Sequence, residues 1–180
     1  MARAPSELET ERLRLRRPRL ADAEEIFRRY ANDPEVCRYL SWPRHRDVEE
    51  TRAFLRFSDD CWERSPAGPY LIASREDGRL LGSTGLAFET PQRAATGYVL
   101  AADAWERGLA TEALGAMVEL ARGLGVERLY ALCHTGHAAS WRVLEKCGFL
   151  REGVLRRHSE FPNLSPGRPL DVLCYARVRE

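Results

Sequence analysis

Trp105-Glu106-Arg107-Gly108-Leu109-Ala110-Thr111-Glu112-Ala113-Leu114 sets a small-residue turn directly against the start of a helix. Apolar residues then recur at Leu114, Met117, Val118, Ala121 and Leu124, the spacing of one helical face. Ala, Leu, Met and Glu, which all favour helix, dominate the stretch. A helix start leaves backbone N–H groups without partners and carries the positive end of the helix dipole, so it is a ready anion site. Arg107 adds a full charge, and Gly108 and Ala110 keep the approach of ligand oxygens to the backbone clear. A phosphate-bearing ligand is the expectation; a plain surface helix with a small-residue start is the alternative. Two other nucleotide motifs fail on residues. A P-loop needs Gly-x-x-x-x-Gly-Lys-Ser/Thr and no Lys lies here, while a dinucleotide fingerprint needs Gly-x-Gly-x-x-Gly and only Gly108 precedes Gly115.

A second stretch follows: His137-Ala138-Ala139-Ser140-Trp141-Arg142-Val143-Leu144-Glu145-Lys146-Cys147-Gly148-Phe149. Together the two resemble the GCN5-related N-acetyltransferases (GNAT), in particular the RimJ/RimL-like branch, from about Leu8 to about Val178. The first matches the acetyl-CoA pyrophosphate loop, Gln/Arg-x-x-Gly-x-Gly/Ala. The second matches Asn-x-x-Ser followed by Lys-x-Gly-Phe. Three residues depart from the pattern. Trp105 stands in place of Gln or Arg, Glu106 where many relatives carry Gly, and His137 in place of Asn.

The bulk properties agree with a small enzyme. A chain of 180 residues reads as one domain, 1–180 with a core over about 8–179. It is long enough to bury about 70% of its extended surface. A net charge of +1 argues against a nucleic-acid footprint. The basic run Arg12, Arg14, Arg16, Arg17 and Arg19 alternates with Leu13 and Leu15, as a strand with one solvated face does. Five cysteines (Cys37, Cys61, Cys133, Cys147, Cys174) show no metal spacing, so no metal is expected. The odd cysteine count and the charged first twenty residues point to a cytoplasmic protein, and no apolar run is long enough to cross a bilayer.

Strands are expected over Leu8–Arg17, Tyr70–Ser74, Leu80–Phe88, Ala94–Ala101, Arg128–Thr135, Phe149–Arg157 and Leu170–Arg179. Helices are expected over Ala21–Ala31, Asp47–Arg64, the phosphate-loop segment and the Ser140 segment, with Asn32-Asp33-Pro34 a helix stop and Pro162–Pro169 a loop. The fold class is α/β in the broad sense (α+β): a mixed, largely antiparallel sheet of about seven strands flanked by about four helices.

The resemblance implies the chemistry. Acetyl-CoA is the cosubstrate, with pantetheine beside the strand that holds Val99 and Leu100, and pyrophosphate on Arg107, Gly108, Leu109, Ala110 and Thr111. His137 and Ser140 meet the cofactor from the other side. The thioester sits where this strand and Arg128–Thr135 spread apart. Acetyl transfer needs a neutral amine, donors for the oxyanion and a donor for the thiolate, and needs no covalent intermediate. Ser140 matches the thiolate-side donor, with helix capping as its alternative. Glu160 and His134 are the candidate bases, against a solvated charge and a satisfied core histidine. Trp42 and His45 lie in the loop that shapes the acceptor pocket, with packing the alternative for Trp42. The expected activity moves an acetyl group to a primary amine, a protein N-terminus or a small molecule, by direct attack in a ternary complex. A non-catalytic acyl-CoA sensor and an O-acetyltransferase are the alternatives. The expected assembly is a monomer or homodimer, with no nucleic-acid or membrane partner.

Bulk and negative charge at the helix start both oppose a pyrophosphate. Ala110→Asp is therefore expected to abolish acetyl-CoA binding in a folded protein, as isothermal titration reads it. Unchanged affinity would remove the phosphate-loop assignment.

Overall fold

The computed structural model describes residues 2–179. Leu8 between Glu7 and Glu9 builds β1 (Glu7–Glu9), and alternating Leu and Arg build β2 (Leu13–Arg16), an antiparallel pair in which Leu13 and Leu15 are buried. Leu20–Ala31 runs as a 3-10 turn (Leu20–Asp22), α1 (Ala23–Ile26) and a π turn (Phe27–Ala31). Then come α2 (Pro34–Cys37), α3 (Val48–Arg64), β3 (Pro69–Ser74), β4 (Leu80–Thr90) and β5 (Arg93–Leu100). A 3-10 turn (Ala102–Ala104) leads into α4 (Leu109–Gly123), followed by β6 (Arg128–His134), α5 (Ala138–Lys146), β7 (Leu150–Phe161) and β8 (Ser165–Val178). The sheet has eight strands in the order β1-β2-β3-β4-β5-β6-β8-β7, and β5–β6 is its one parallel pair.

That pair is short. Arg93, Ala94 and Ala95 oppose Arg128, Leu129 and Tyr130, and beyond them β5 and β6 separate. β5 continues along β4 to Leu100, while β6 continues along β8 to His134. The Ala101 N–H donates to the Leu81 carbonyl at 2.8 Å, so the ladder alternation turns the amides of Tyr98 and Leu100 away from β4, toward the gap. The Leu100 carbonyl there accepts from the Trp105 indole at 2.9 Å.

Adjacent residues split between the two faces. Leu71, Leu80 and Val99 join Ile26, Tyr30 and Leu55 in a core under α1 and α3. Their neighbours Ile72, Leu81 and Leu100 join Leu114, Met117, Leu144 and Tyr175 under α4 and α5. Period-2 strands and period-3.6 helices thus bury a face of the sheet on each side.

The mixed, largely antiparallel sheet stands as expected, with eight strands rather than seven and five α-helices rather than four. The extra strand arises because Thr10–Arg12 turns the Leu/Arg stretch back on itself, with the Thr10 N–H donating to the Leu13 carbonyl at 2.9 Å. The extra helix arises because Asp33-Pro34 starts a helix as well as ending one: the Asp33 carboxylate accepts from the Glu35 and Val36 amides, with Pro34 at the first position. The expected loop Pro162–Pro169 shrinks to a tight turn, since β8 begins at Ser165 and pairs with Phe161. Among the described residues no helix is long and apolar enough to cross a membrane.

One glycine sets the mouth of the gap. A Cβ on Gly82 would stand 1.9 Å from the Val99 carbonyl oxygen and 2.9 Å from the Leu100 Cα, both backbone. Gly82→Ala must push β4 from β5 and is expected to cost about 2 kcal/mol or more, the scale of overpacking in a rigid interior. Urea unfolding measures it. Gly97→Ala, where a Cβ meets nothing within 4 Å, is the control and is expected to stay near wild type.

Candidate active site

Where β5 and β6 part, a cleft of about 640 Å³ opens. Its α5 side carries Tyr98, Ser140 and Leu144. Its α3 side carries Tyr39, Trp42, Phe54 and Phe57, and His137 and Cys133 line it between them.

The turn before α4, where a phosphate loop is expected, is built on two left-handed residues. Glu106 has φ 58° and Gly108 has φ 75°. Gly108 is the α4 N-cap and offers no side chain, so the amides of Leu109, Ala110 and Thr111 stay uncapped. A network behind the loop fixes it. Glu112 accepts from the Thr10 hydroxyl at 2.6 Å, the Arg12 amide at 2.7 Å and Arg12 Nε at 2.7 Å. Burial pushes the Glu112 carboxyl up, but these hydrogen bonds outweigh it and hold the group below its usual range. Arg12 Nη1 then donates to the Arg107 carbonyl at 2.9 Å, which draws that oxygen away from the amides. An anion would meet N–H groups here without a competing carbonyl. The Arg107 guanidinium has no ion-pair partner among the described residues, and Arg107 lines a charged cavity of about 420 Å³ with Arg12, Arg75 and Arg79 and with Glu11, Glu76 and Asp77.

Ser140 is the third residue of α5, and His137 holds the N-cap, so Ser140 does not cap the helix. The Tyr98 hydroxyl donates to the Ser140 carbonyl at 2.8 Å, leaving Ser140 Oγ, 3.1 Å away, to donate to the Tyr98 oxygen. Burial pushes the Tyr98 phenol above its usual value, so it remains protonated. His137 stacks on Tyr39 with centroids 4.6 Å apart and planes at 23°, and its ring nitrogens have no hydrogen-bond partner among the described residues. Burial and the neighbouring His134 lower its pKa, so the ring is neutral at pH 7. His134 Nδ1 accepts the Gly136 N–H at 3.0 Å, which leaves the proton of the neutral ring on Nε2.

A family model described as an acetyltransferase (GNAT) domain matches residues 12–150. The chain belongs to the GNAT family. It is an acetyltransferase. It is 32% identical over 175 residues to YoaA of Bacillus subtilis, an N-acetyltransferase itself uncharacterized, and 28% identical over 175 residues to the N-acetyltransferase p20 of Bacillus licheniformis, with 96% of each chain covered in both. Among solved structures, the self-immunity acetyltransferase MccE, in complex with acetyl-CoA and AMP, superposes with TM-score 0.85 at 21% identity over 98% of each chain. RimL, the ribosomal L7/L12 alpha-N-protein acetyltransferase in complex with coenzyme A, does so with TM-score 0.82 at 23% identity, over 97% of this chain and 96% of that one. These neighbours share the fold and hold acetyl-CoA or coenzyme A.

The remaining expected residues divide. Val99 lines the cleft, while Leu100 packs beneath α4 and faces the gap only with backbone. Trp42 lines the cleft; His45 stands behind it, its ring 5.1 Å from the indole and Nδ1 2.8 Å from Thr51 Oγ1. Glu160 is not brought to the cleft. Ser159 and Phe161 line it instead, and strand alternation leaves the intervening carboxylate exposed. Among the described residues no group of three His, Cys, Asp or Glu is placed to hold a metal ion. Asn163 carries no sequence signal for its role. Its Oδ1 accepts the Arg44 amide at 2.7 Å, and its Nδ2 donates to the carbonyls of Cys37 at 2.8 Å and Trp42 at 2.9 Å. The turn between β7 and β8 thereby clasps the loop that carries Trp42.

Glu106 combines a left-handed backbone with a carboxylate beside the anion site. Glu106→Gly removes both and is expected to tighten acetyl-CoA binding about two- to fivefold at low ionic strength, with the gain shrinking as salt screens it. Titration at two salt concentrations checks this, and equal affinity at low salt would argue against a phosphate at the loop.

Proposed function

We propose that the protein transfers the acetyl group of acetyl-CoA to a primary amine by direct attack in a ternary complex. The observation that carries this reading is one cleft with a hydroxyl pair, Ser140 and Tyr98, on one side and an unpartnered neutral imidazole, His137, between that pair and the aromatic wall. The phosphate loop fits the donor: the uncapped amides of Leu109, Ala110 and Thr111 and the unpaired Arg107 take the pyrophosphate. The outward amides of Tyr98 and Leu100 suit the pantetheine and the carbonyl oxygen of the thioester. The thioester supplies an activated acetyl group and a sulfur leaving group.

His137 accepts one proton from the incoming ammonium. The freed nitrogen bonds to the carbonyl carbon as the C–S bond breaks, and the second amine proton passes to the departing sulfur. Ser140 turns its single O–H from the Tyr98 oxygen to that sulfur, a hydrogen bond stronger in the transition state than before it. His134, with Nδ1 already accepting, supports the pocket through its contact with Tyr39 rather than as the base. Cys133 lines the cleft, but burial pushes its thiol up to about 11, which disfavours an acyl-cysteine intermediate at neutral pH. The proton acceptor belongs to the neutral cleft itself, since its lining includes no carboxylate.

Ser140→Ala is expected to lower kcat about tenfold to a thousandfold with little change in the KM for acetyl-CoA. An unchanged kcat would sink the donor role. His137→Asn is expected to keep acetyl-CoA affinity while lowering kcat about a hundredfold. In the wild type, kcat/KM for the acceptor should fall as pH drops through the lowered His137 pKa, below the ordinary histidine value. Burial of the ring first, and then the neighbouring His134, set this limb. The limb should vanish in His137→Asn. Tight acetyl-CoA binding without thiol release over any amine would instead favour a sensing module.

A further inference from the structure

The core under α1 and α3 covers only one half of its sheet face. Leu71, Leu80 and Val99 are roofed, but Gly85, Ala87, Ala95 and Gly97 form an uncovered floor of small residues. Gly97 alternates with Tyr98, which points to α5, so Gly97 faces the α3 side. A Cβ placed on it would meet nothing within 4 Å, so the space above is open. Around this floor stand Trp42, Phe54, Phe57 and Phe161. Phe57 is 61% exposed, although apolar. Trp42 is held in place beforehand by the Asn163 clasp. The lining of the whole cleft includes no Asp, Glu, Lys or Arg among the described residues.

These features constrain the acceptor. A buried charge needs a partner, and a second ammonium on the ligand would find none here. The reacting amine differs, because it gives up its charge to His137. Before that, the ammonium can rest on the Trp42 face. Flat floor and aromatic walls reward a large apolar body.

Building on the acetyl-transfer reading above, we propose that the acceptor is a primary amine carried on an aromatic or bulky apolar body with no second positive charge, seated over Gly97 among Trp42, Phe54 and Phe57. A small arylalkylamine and a peptide with an apolar N-terminal residue share that chemistry.

The test measures thiol release with 2-phenylethylamine, tryptamine, a tetrapeptide amide beginning with Phe, ethylamine, spermidine and kanamycin. At least one aromatic acceptor is expected to exceed spermidine, kanamycin and ethylamine about thirtyfold or more in kcat/KM. The relative rates of the small amines and the peptide identify the source. Gly97→Leu fills the floor and is expected to raise the KM of the preferred acceptor about tenfold or more. Its acetyl-CoA Kd and melting temperature should stay at wild-type values. Phe57→Ser should raise the same KM by a smaller factor. Spermidine, kanamycin or ethylamine matching the aromatic acceptors would overturn the proposal, as would an unchanged KM in Gly97→Leu. Absence of acetyl-CoA binding would instead strike the transfer reading. In that case calorimetry with 2-phenylethylamine and the Phe tetrapeptide still decides the groove. Binding weakened by Gly97→Leu supports it, and no binding, or binding indifferent to the substitution, rejects it.

Discussion

The parting of β5 and β6 after three paired residues is the constraint from which the rest of the molecule follows. A parallel pair that ran its full length would seal the sheet and leave no passage between its faces. Each strand instead has a better partner on its other side: β5 runs along β4, and β6 along β8 for its whole length. The core under α4 and α5 runs across both halves, from Leu13 and Leu100 on one side to Leu129 and Tyr175 on the other, so the gap does not cost either half its packing. Backbone polar groups that lose their ladder must be met in another way. The Trp105 indole meets the Leu100 carbonyl, and the amides of Tyr98 and Leu100 remain to receive a ligand. An aromatic with a donor at position 105 is thereby a structural need.

Much of this was legible in the sequence because its signals are local. The turn at Gly108 and the helix behind it could be read from that glycine and the helical spacing, since small residues and periodicity act within a few positions. The hairpin at Glu76-Asp77-Gly78 and the left-handed stop at Gly148 were legible for the same reason. Local signals also misled. Thr10-Glu11-Arg12 carries no Gly, Pro or Asn to mark a turn, so two strands read as one, and Asp33-Pro34 serves both as a stop and as a start. What stayed hidden depends on pairs far apart in the chain. Neither the Tyr98 phenol meeting Ser140, nor Glu112 gripping Arg12, nor Asn163 reaching back to Trp42 leaves a mark at any spacing. Glu160 lies in a strand between two cleft-lining residues, Ser159 and Phe161, and is exposed, the solvated placement that was its alternative.

Charge is distributed with a purpose that composition conceals. Charged residues make up 31% of the chain, yet among the described residues none lines the cleft. Many of them pair with one another at the surface, as Arg16 does with Asp22 at 2.7 Å and Arg29 with Asp103 at 2.8 Å. Arg107, beside the start of α4, is among those without such a pairing. The interior of the passage is left to hydroxyls, aromatics and a neutral ring. Such a passage strengthens each hydrogen bond made inside it, because little competing field or water remains.

The clasp at Asn163 has a consequence for the order in which the protein becomes itself. It joins the last hairpin of the sheet to the loop between α2 and α3, more than a hundred residues earlier. A ribosome finishes that loop long before it makes the turn that fastens it. The phosphate loop and its Arg12–Glu112 brace, by contrast, lie wholly within the first two-thirds of the chain. The nascent protein therefore has the parts to brace the turn before α4 well before it can fasten the other end of the passage, and the aromatic wall is fastened only once the final strands emerge.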